Sequence, residues 1–272
     1  DAMTGSATIG FIGGGNMAEA ILKGLIGKGV TPQVITVGEP VAARRDDLAG
    51  RYNVVTTDDN PEVVKRSDVV VLAIKPQMVG DVLPALAEFW NDEKLLISIL
   101  AGTATATLEQ LLGGSAKVVR VMPNTPALIG TGAAALCAGA NATANDLVIT
   151  LELFSSVGSV ARVTEEQMDA VTAVSGSGPA YIFTVIEAMA AGGVQEGLDR
   201  ETALQLAIQT VVGSAQLVAE TGEAPMELRA KVCSPGGTTL AAIEKLDAGG
   251  FGETLVAGVR RAAERSRELG KK

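Results

Sequence analysis

The sequence predicts an α/β protein: an N-terminal doubly wound sheet followed by an all-α C-terminal domain. Three observations predict it. Short runs rich in Val and Ile alternate with helix-forming stretches up to Thr164, the pattern of parallel strands covered by helices on both faces. A glycine-rich turn, Gly13-Gly14-Gly15-Asn16-Met17-Ala18, separates the first of those runs from the first helix. Beyond Thr164 the strand signals stop and helix formers dominate. The domain division is therefore expected at residues 1–164 and 165–272.

The elements follow in order. Strands are expected at 8–12, 34–37, 53–56, 69–74, 95–99 and 117–122, with helices near 16–28, 41–50, 61–66, 78–90 and 105–112. The run Val69-Val70-Val71-Leu72-Ala73-Ile74 is the most apolar. A strand covered on both faces carries apolar residues at successive positions, so this one is expected at the centre. A run at 133–136 is expected to close the sheet edge, followed by a helix near 145–157 and a short strand near 159–163. The C-terminal helices are expected near 166–174, 178–196, 199–221, 225–232, 237–247 and 250–269. Ser-Gly-Ser-Gly-Pro at 175–179 and Ser-Pro-Gly-Gly at 234–237 punctuate them. Asp199 is the expected N-cap of the helix at 199–221. Leu204, Ala207, Ile208, Val211, Val212, Ala215 and Val218 mark more than one apolar face of that helix. It is therefore expected to be widely buried, against a second subunit. No internal repeat or low-complexity segment interrupts the chain.

Composition narrows the function classes. The chain has 272 residues, 47% hydrophobic, with a formal net charge of −9 and 3% aromatics. An acidic, aromatic-poor chain argues against a nucleic-acid partner. The basic residues of the last helix, Arg260 to Lys272, are interleaved with Glu264 and Glu268, as on a solvated face. Two cysteines, Cys137 and Cys233, stand without C-x-x-C or other ligand spacing. That suits a reducing, cytoplasmic setting and no metal site. The uncharged stretches 121–145 and 170–186 are broken by Pro, Gly, Asn and Ser, and neither reads as a membrane span. No basic segment precedes an apolar stretch, so no signal peptide is read, and residues 1–6 carry no pattern.

The glycine turn reads G-x-G-x-x-A, the fingerprint of a Rossmann-type strand–turn–helix that holds a dinucleotide pyrophosphate. Gly13 allows the tight turn, Gly15 lets the backbone approach the phosphates, and Ala18 lets helix and strand pack closely. Gly14, Asn16 and Met17 complete the turn and open the helix, whose N–H groups and dipole favour an anion. At the end of the second strand Glu39 is placed to accept from the ribose hydroxyls of NAD. Arg44 and Arg45 follow closely and would hold the 2′-phosphate of NADP, or lie as exposed helix residues. The sequence leaves NADH and NADPH both open. Ala73-Ile74-Lys75-Pro76-Gln77 and Ala101-Gly102 follow strands and are candidate nicotinamide contacts. Lys75 serves there as an acid or a positioning group, and Pro76 suits the first position of a helix.

There is no histidine in the chain, and no lysine between Asp169 and Phe183. Carbonyl reduction needs a positioned proton donor, and Tyr181 is the single candidate there. Reduction of a protonated imine cancels an existing charge and needs no strong acid, so C=N reduction is favoured. Ser234-Pro235-Gly236-Gly237-Thr238-Thr239 reads as a loop into a helix N-terminus, with hydroxyls and amides that cradle a carboxylate or simply cap the helix. Two rivals remain: a hydroxyacid dehydrogenase-like enzyme, which needs a lysine that Lys231 and Lys245 are misplaced to provide, and a non-catalytic dinucleotide-binding redox sensor.

Five segments together resemble the pyrroline-5-carboxylate reductase family: residues 9–18, Ala73-Ile-Lys-Pro-Gln77, Val121-Met-Pro-Asn-Thr-Pro126, residues 169–181 and Ser234-Pro-Gly-Gly-Thr-Thr239. The likeness runs from about Ile9 to Leu269. It implies an NAD(P)H-dependent imine reductase that converts Δ1-pyrroline-5-carboxylate to L-proline. It implies that the loop of Ser234, Gly236, Gly237 and Thr238 binds the substrate carboxylate and that Thr239 contacts the ring nitrogen as the catalytic residue. Ala73, Lys75, Pro76, Met122 and Asn124 would surround the nicotinamide, and Asn60 the adenosine side. It further implies a homodimer with the active site at its interface, in some members assembled to a decamer. Glu39 departs from the small hydroxyl residue common at that place in the family.

Overall fold

The computed structural model describes residues 7–271. The patternless stretch 1–6 and Lys272 lie outside the described residues. The described residues form two compact units, 7–177 with 262–271, and 178–261.

The first unit is built on one eight-stranded sheet in the order β3-β2-β1-β4-β5-β6-β7-β8. Its strands are β1 (Ile9–Ile12), β2 (Ile35–Gly38), β3 (Val55–Thr57), β4 (Val69–Leu72), β5 (Leu95–Ser98), β6 (Lys117–Met122), β7 (Gly132–Ala138) and β8 (Gly158–Arg162). The helices between them are α1 (Asn16–Gly27), α2 (Ala42–Tyr52), α3 (Asn60–Arg66), α4 (Val79–Val82), α5 (Thr105–Leu111) and α6 (Ala144–Ser155). The first six strands run parallel, and β7 is antiparallel to β6. As the Val-rich run predicts, β4 lies inside the sheet, between β1 and β5, and all four of its residues are buried. Two apolar layers flank the sheet, one around Phe11, Ile21, Ile97 and Phe154, the other around Ile12, Val70, Leu83 and Leu96. Burial of such side chains stabilises each layer by about 1.5–3 kcal/mol per large residue.

Three local expectations are corrected. The strand after β6 does not close the edge. The antiparallel β7 leaves one side unpaired, α6 carries the chain across, and β8 pairs parallel on that side as the true edge. The helix expected at 78–90 breaks into a 3₁₀ turn Pro76–Met78, the short α4 and a second 3₁₀ segment Pro84–Phe89. Pro84 has no N–H to continue the ladder and its ring crowds the preceding turn. The helix expected at 166–174 becomes a 3₁₀ turn Glu165–Gln167, α7 (Met168–Val171) and a π turn Thr172–Gly176. The Thr172 and Ser175 hydroxyls donate to the carbonyls of Met168 and Val171, both at 3.0 Å. Ser177 N–H reaches back five residues to Thr172 O at 2.8 Å, a widening typical of functional segments.

The second unit contains α8 (Gly178–Gln195), α9 (Arg200–Thr221), α10 (Pro225–Val232), α11 (Thr238–Ala248) and the first half of α12 (Phe251–Gly270). Asp199 caps α9 as expected, accepting from Thr202 N–H at 2.9 Å. α8 and α9 meet through the small residues Ala190, Ala203 and Ala207. The wide burial expected of α9 does not occur within one chain: Leu206, Ile208, Val212 and Leu217 are exposed. By length and composition α9 alone among the described helices is apolar enough to cross a membrane.

Candidate active site

Strand order reverses between β1 and β4, and the glycine turn stands at that switch point. Register sets Ile12 level with Gly38 and Leu72 at the carboxyl ends of β1, β2 and β4. The turn is stitched to both neighbours: Gly13 N–H donates to Gly38 O at 2.9 Å, and Ala73 N–H to Ile12 O at 2.8 Å. Gly13 has φ +101°, and a Cβ there would strike the Ala73 carbonyl, so no other residue suits this turn. Gly15 differs. A Cβ on it would meet nothing within 4 Å, so the protein itself does not require glycine there. α1 begins at Gly15 with no side-chain cap, leaving its first amides open toward that free space. A pyrophosphate suits it, as a close-approaching anion on an uncapped helix start.

The other predicted cofactor residues in this unit line the same end of the sheet. Glu39 follows β2 beside the turn, its Cβ 3.2 Å from where a Gly14 Cβ would stand. Among the described residues no group pairs with its carboxylate. Asn60 opens α3, its Oδ1 close over Gly38. Ala73, exposed Lys75 and Pro76 follow β4, with Pro76 opening a 3₁₀ turn as expected. Met122 ends β6 and packs over Gly176. Asn124 accepts from Ala133 N–H at 2.8 Å and donates to Ser175 O at 3.1 Å, clamping the π turn. The side chain of Asn124 is thus occupied by the protein. Arg44 and Arg45 do not present free guanidiniums: Arg45 donates to the Glu39 and Pro40 carbonyls at 2.7 and 3.0 Å.

Arg44 sits in a network the sequence reading left out. Its Nε donates to Gly14 O at 2.7 Å and a terminal nitrogen meets Glu19 at 2.6 Å. Glu19 also accepts from the Tyr52 hydroxyl at 2.5 Å and pairs with Arg51 at 2.7 Å. Burial works to raise the Glu19 carboxyl; the Tyr52 hydroxyl, Arg44 and Arg51 outweigh it and hold the group below its ordinary range. Burial, then the Glu19 contact, pushes the Tyr52 phenol up. Residues 19, 44, 51 and 52 come from two helices, so no local motif announces the cluster.

In the second unit, Ser234 to Thr239 form the loop into α11. Gly236 turns with φ +69° and Gly237 N–H donates to Ser234 O at 3.0 Å. The Ser234 hydroxyl lies over Gly237, 2.5 Å from where a Cβ would be, so any side chain at Gly237 would displace it. Ordinary capping does not account for the hydroxyls. Gly237 is the N-cap, and α11 has no side-chain cap. Among the described residues, Ser234, Thr238 and Thr239 have no hydrogen-bond partner for their hydroxyls. Three free hydroxyls around an uncapped helix start suit a small carboxylate.

A glycine turn at the switch point of a doubly wound sheet, with an uncapped, hydroxyl-rich helix start on the same chain, suits a dinucleotide-dependent oxidoreductase. The comparisons narrow this. Residues 165–269 match the family model described as pyrroline-5-carboxylate reductase dimerisation, and residues 8–102 match NADP oxidoreductase coenzyme F420-dependent. A pyrroline-5-carboxylate reductase of Methanosarcina acetivorans is 47% identical over 265 residues, 97% of this chain and 98% of that one. A solved pyrroline-5-carboxylate reductase from Coxiella burnetii superposes with a TM-score of 0.93 at 38% identity, covering 98% and 99% of the two chains. The Plasmodium falciparum pyrroline carboxylate reductase, solved with NADP bound, has a TM-score of 0.88 at 32% identity, covering 97% and 98%. The chain belongs to the pyrroline-5-carboxylate reductase family.

Proposed function

We propose that this chain reduces Δ1-pyrroline-5-carboxylate to L-proline with NADH or NADPH. The observation that carries this is the uncapped start of α11, where the hydroxyls of Ser234, Thr238 and Thr239 have no partner among the described residues. When bound, the nicotinamide supplies a hydride. The protein binds and orients. The turn Gly13-Gly14-Gly15 with Asn16 and Met17 takes the pyrophosphate, Glu39 and Asn60 border the adenosine end, and Ala73, Lys75, Pro76, Met122 and Asn124 border the nicotinamide. Ser234, Gly236, Gly237 and Thr238 take the ring carboxylate, which fixes C5 of the ring. Thr239 orients the ring nitrogen and is the catalytic residue. Reduction cancels the positive charge already on the protonated imine nitrogen, so no strong acid is called for, in keeping with a chain that has no histidine. Alignment then supplies most of the rate, since a held pair reacts as if at very high concentration.

Residues 1–164 form the dinucleotide-binding domain, and residues 165–272 the substrate-binding and dimerisation domain. The working unit is a homodimer, from which a decamer is assembled, in the cytoplasm. The exposed apolar side chains of α9 lie within the segment matched to dimerisation, and a partner subunit is their natural cover. The test is steady-state oxidation of NADH and NADPH, side by side, with pyrroline-5-carboxylate. Proline formation is the expected result. No turnover from folded protein that still binds a dinucleotide would overturn the reductase in favour of a redox sensor.

A further inference from the structure

Arg44 stands where a 2′-phosphate ligand is expected, yet its guanidinium is already committed. Nε donates to Gly14 O at 2.7 Å, one terminal nitrogen lies 3.4 Å from Gly15 O and 2.6 Å from Glu19, and the other reaches Asp47 at 3.0 Å. The two-pronged edge that would grip a phosphate is in use. What it grips instead is the turn itself. A trans peptide unit points its C=O and the next residue's N–H in opposite directions. Holding the Gly14 carbonyl toward α2 therefore sets the plane that carries the Gly15 N–H, while the Gly15 carbonyl also accepts from Glu19 N–H at 3.0 Å as the first bond of α1. Gly15 and Asn16 begin α1, beside the space left free at Gly15. Glu19, itself held by Tyr52 and Arg51, keeps Arg44 from swinging away.

We infer that Arg44 is a positioning residue for the pyrophosphate: its grip on the Gly14 carbonyl aims the turn's Gly15 amide at the anion, and it serves NADH and NADPH alike rather than reading the 2′-phosphate. This rests on the dinucleotide-binding reading above.

Calorimetric titration of the full chain with NADH and with NADPH tests it, because binding is read apart from turnover. Arg44→Ala should weaken both dinucleotides by the same factor, about tenfold, leaving their ratio unchanged within about twofold. Arg44→Lys keeps a charge able to hold a phosphate but cannot span the Gly14 carbonyl, Glu19 and Asp47 together, so it should weaken both equally as well. Glu19→Gln, the variant to use if Arg44→Ala does not fold, should also weaken both, by about threefold. If Arg44 were a phosphate ligand, releasing it in Glu19→Gln would strengthen NADPH alone, and Arg44→Ala would weaken NADPH alone. Either selective result overturns the inference, as does unchanged binding of both dinucleotides in Arg44→Ala. Wild-type protein that binds neither dinucleotide would instead overturn the dinucleotide-binding reading itself, and the inference with it.

Discussion

Thr239 enters α11 in its first turn, half-buried, with a hydroxyl that no described residue uses. Its loss leaves packing almost untouched and, on the proposed mechanism, removes one oriented hydrogen bond to the reacting nitrogen. Thr239→Ala should therefore lower kcat by about tenfold to a hundredfold with dinucleotide binding unchanged. An unchanged kcat in steady-state assays would remove Thr239 from the mechanism. Glu39 is a second residue whose side chain is unspent. Among the described residues no group pairs with its carboxylate, and a 2′-phosphate brought beside it would be repelled. Glu39→Ser should raise the NADPH-to-NADH ratio of kcat/KM by about tenfold. A ratio that does not move would place the ribose elsewhere. Both residues stand out in the sequence as candidates because each belongs to a short local motif. Arg44 was legible only as a charge near the right place. Its grip on Gly14 joins residues thirty apart, and no local pattern encodes that.

At the scale of elements, α1 and α2 are joined to the glycine turn by the cluster of Glu19, Arg44, Asp47, Arg51 and Tyr52. The Glu19 carboxyl is held below its ordinary value of 4.5, so the native state binds fewer protons there than the unfolded chain. The cluster's stabilisation is then fully present above about pH 4.5 and is lost as pH falls through the lower folded value. Thermal melts from pH 6 downward should show Glu19→Gln losing less stability on acidification than the wild type. Parallel losses would mean that Glu19 titrates alike folded and unfolded. The elements themselves were mostly readable, since eight strands and most helices follow from period and turn residues. Where the reading failed, a side chain had entered the backbone's bonding. Pro84 removed an N–H from one helix, and Thr172 and Ser175 bonded back to earlier carbonyls in another.

At the scale of the molecule, α9 exposes Leu206 at 55% and Leu217 at 51%, more apolar surface than an isolated helical unit leaves in water. The protein should sediment as a dimer or larger. Leu206→Glu should shift that equilibrium toward monomer, since a charge desolvated at an apolar interface costs several kcal/mol. Wild-type protein that stays monomeric at micromolar concentration in sedimentation or light scattering would refute the assembly. Activity should fall with the dimer, because the proposed working unit is the homodimer.

The sequence by itself determined the alternation of strands and helices, the glycine turn, the loop from Ser234 to Thr239 and the family, because each is written in short runs whose chemistry is local. Tertiary structure alone decided the rest. It made β8 rather than β7 the edge, because a strand's second side is claimed only when a later crossover returns to it. It left the Ser234, Thr238 and Thr239 hydroxyls without a partner among the described residues, at a helix start that no side chain caps. It turned Arg44 onto Gly14 and left the Glu39 carboxylate without a partner among the described residues. Which groups are satisfied and which remain free depends on neighbours distant in the chain, and only the folded arrangement brings those neighbours within hydrogen-bond reach.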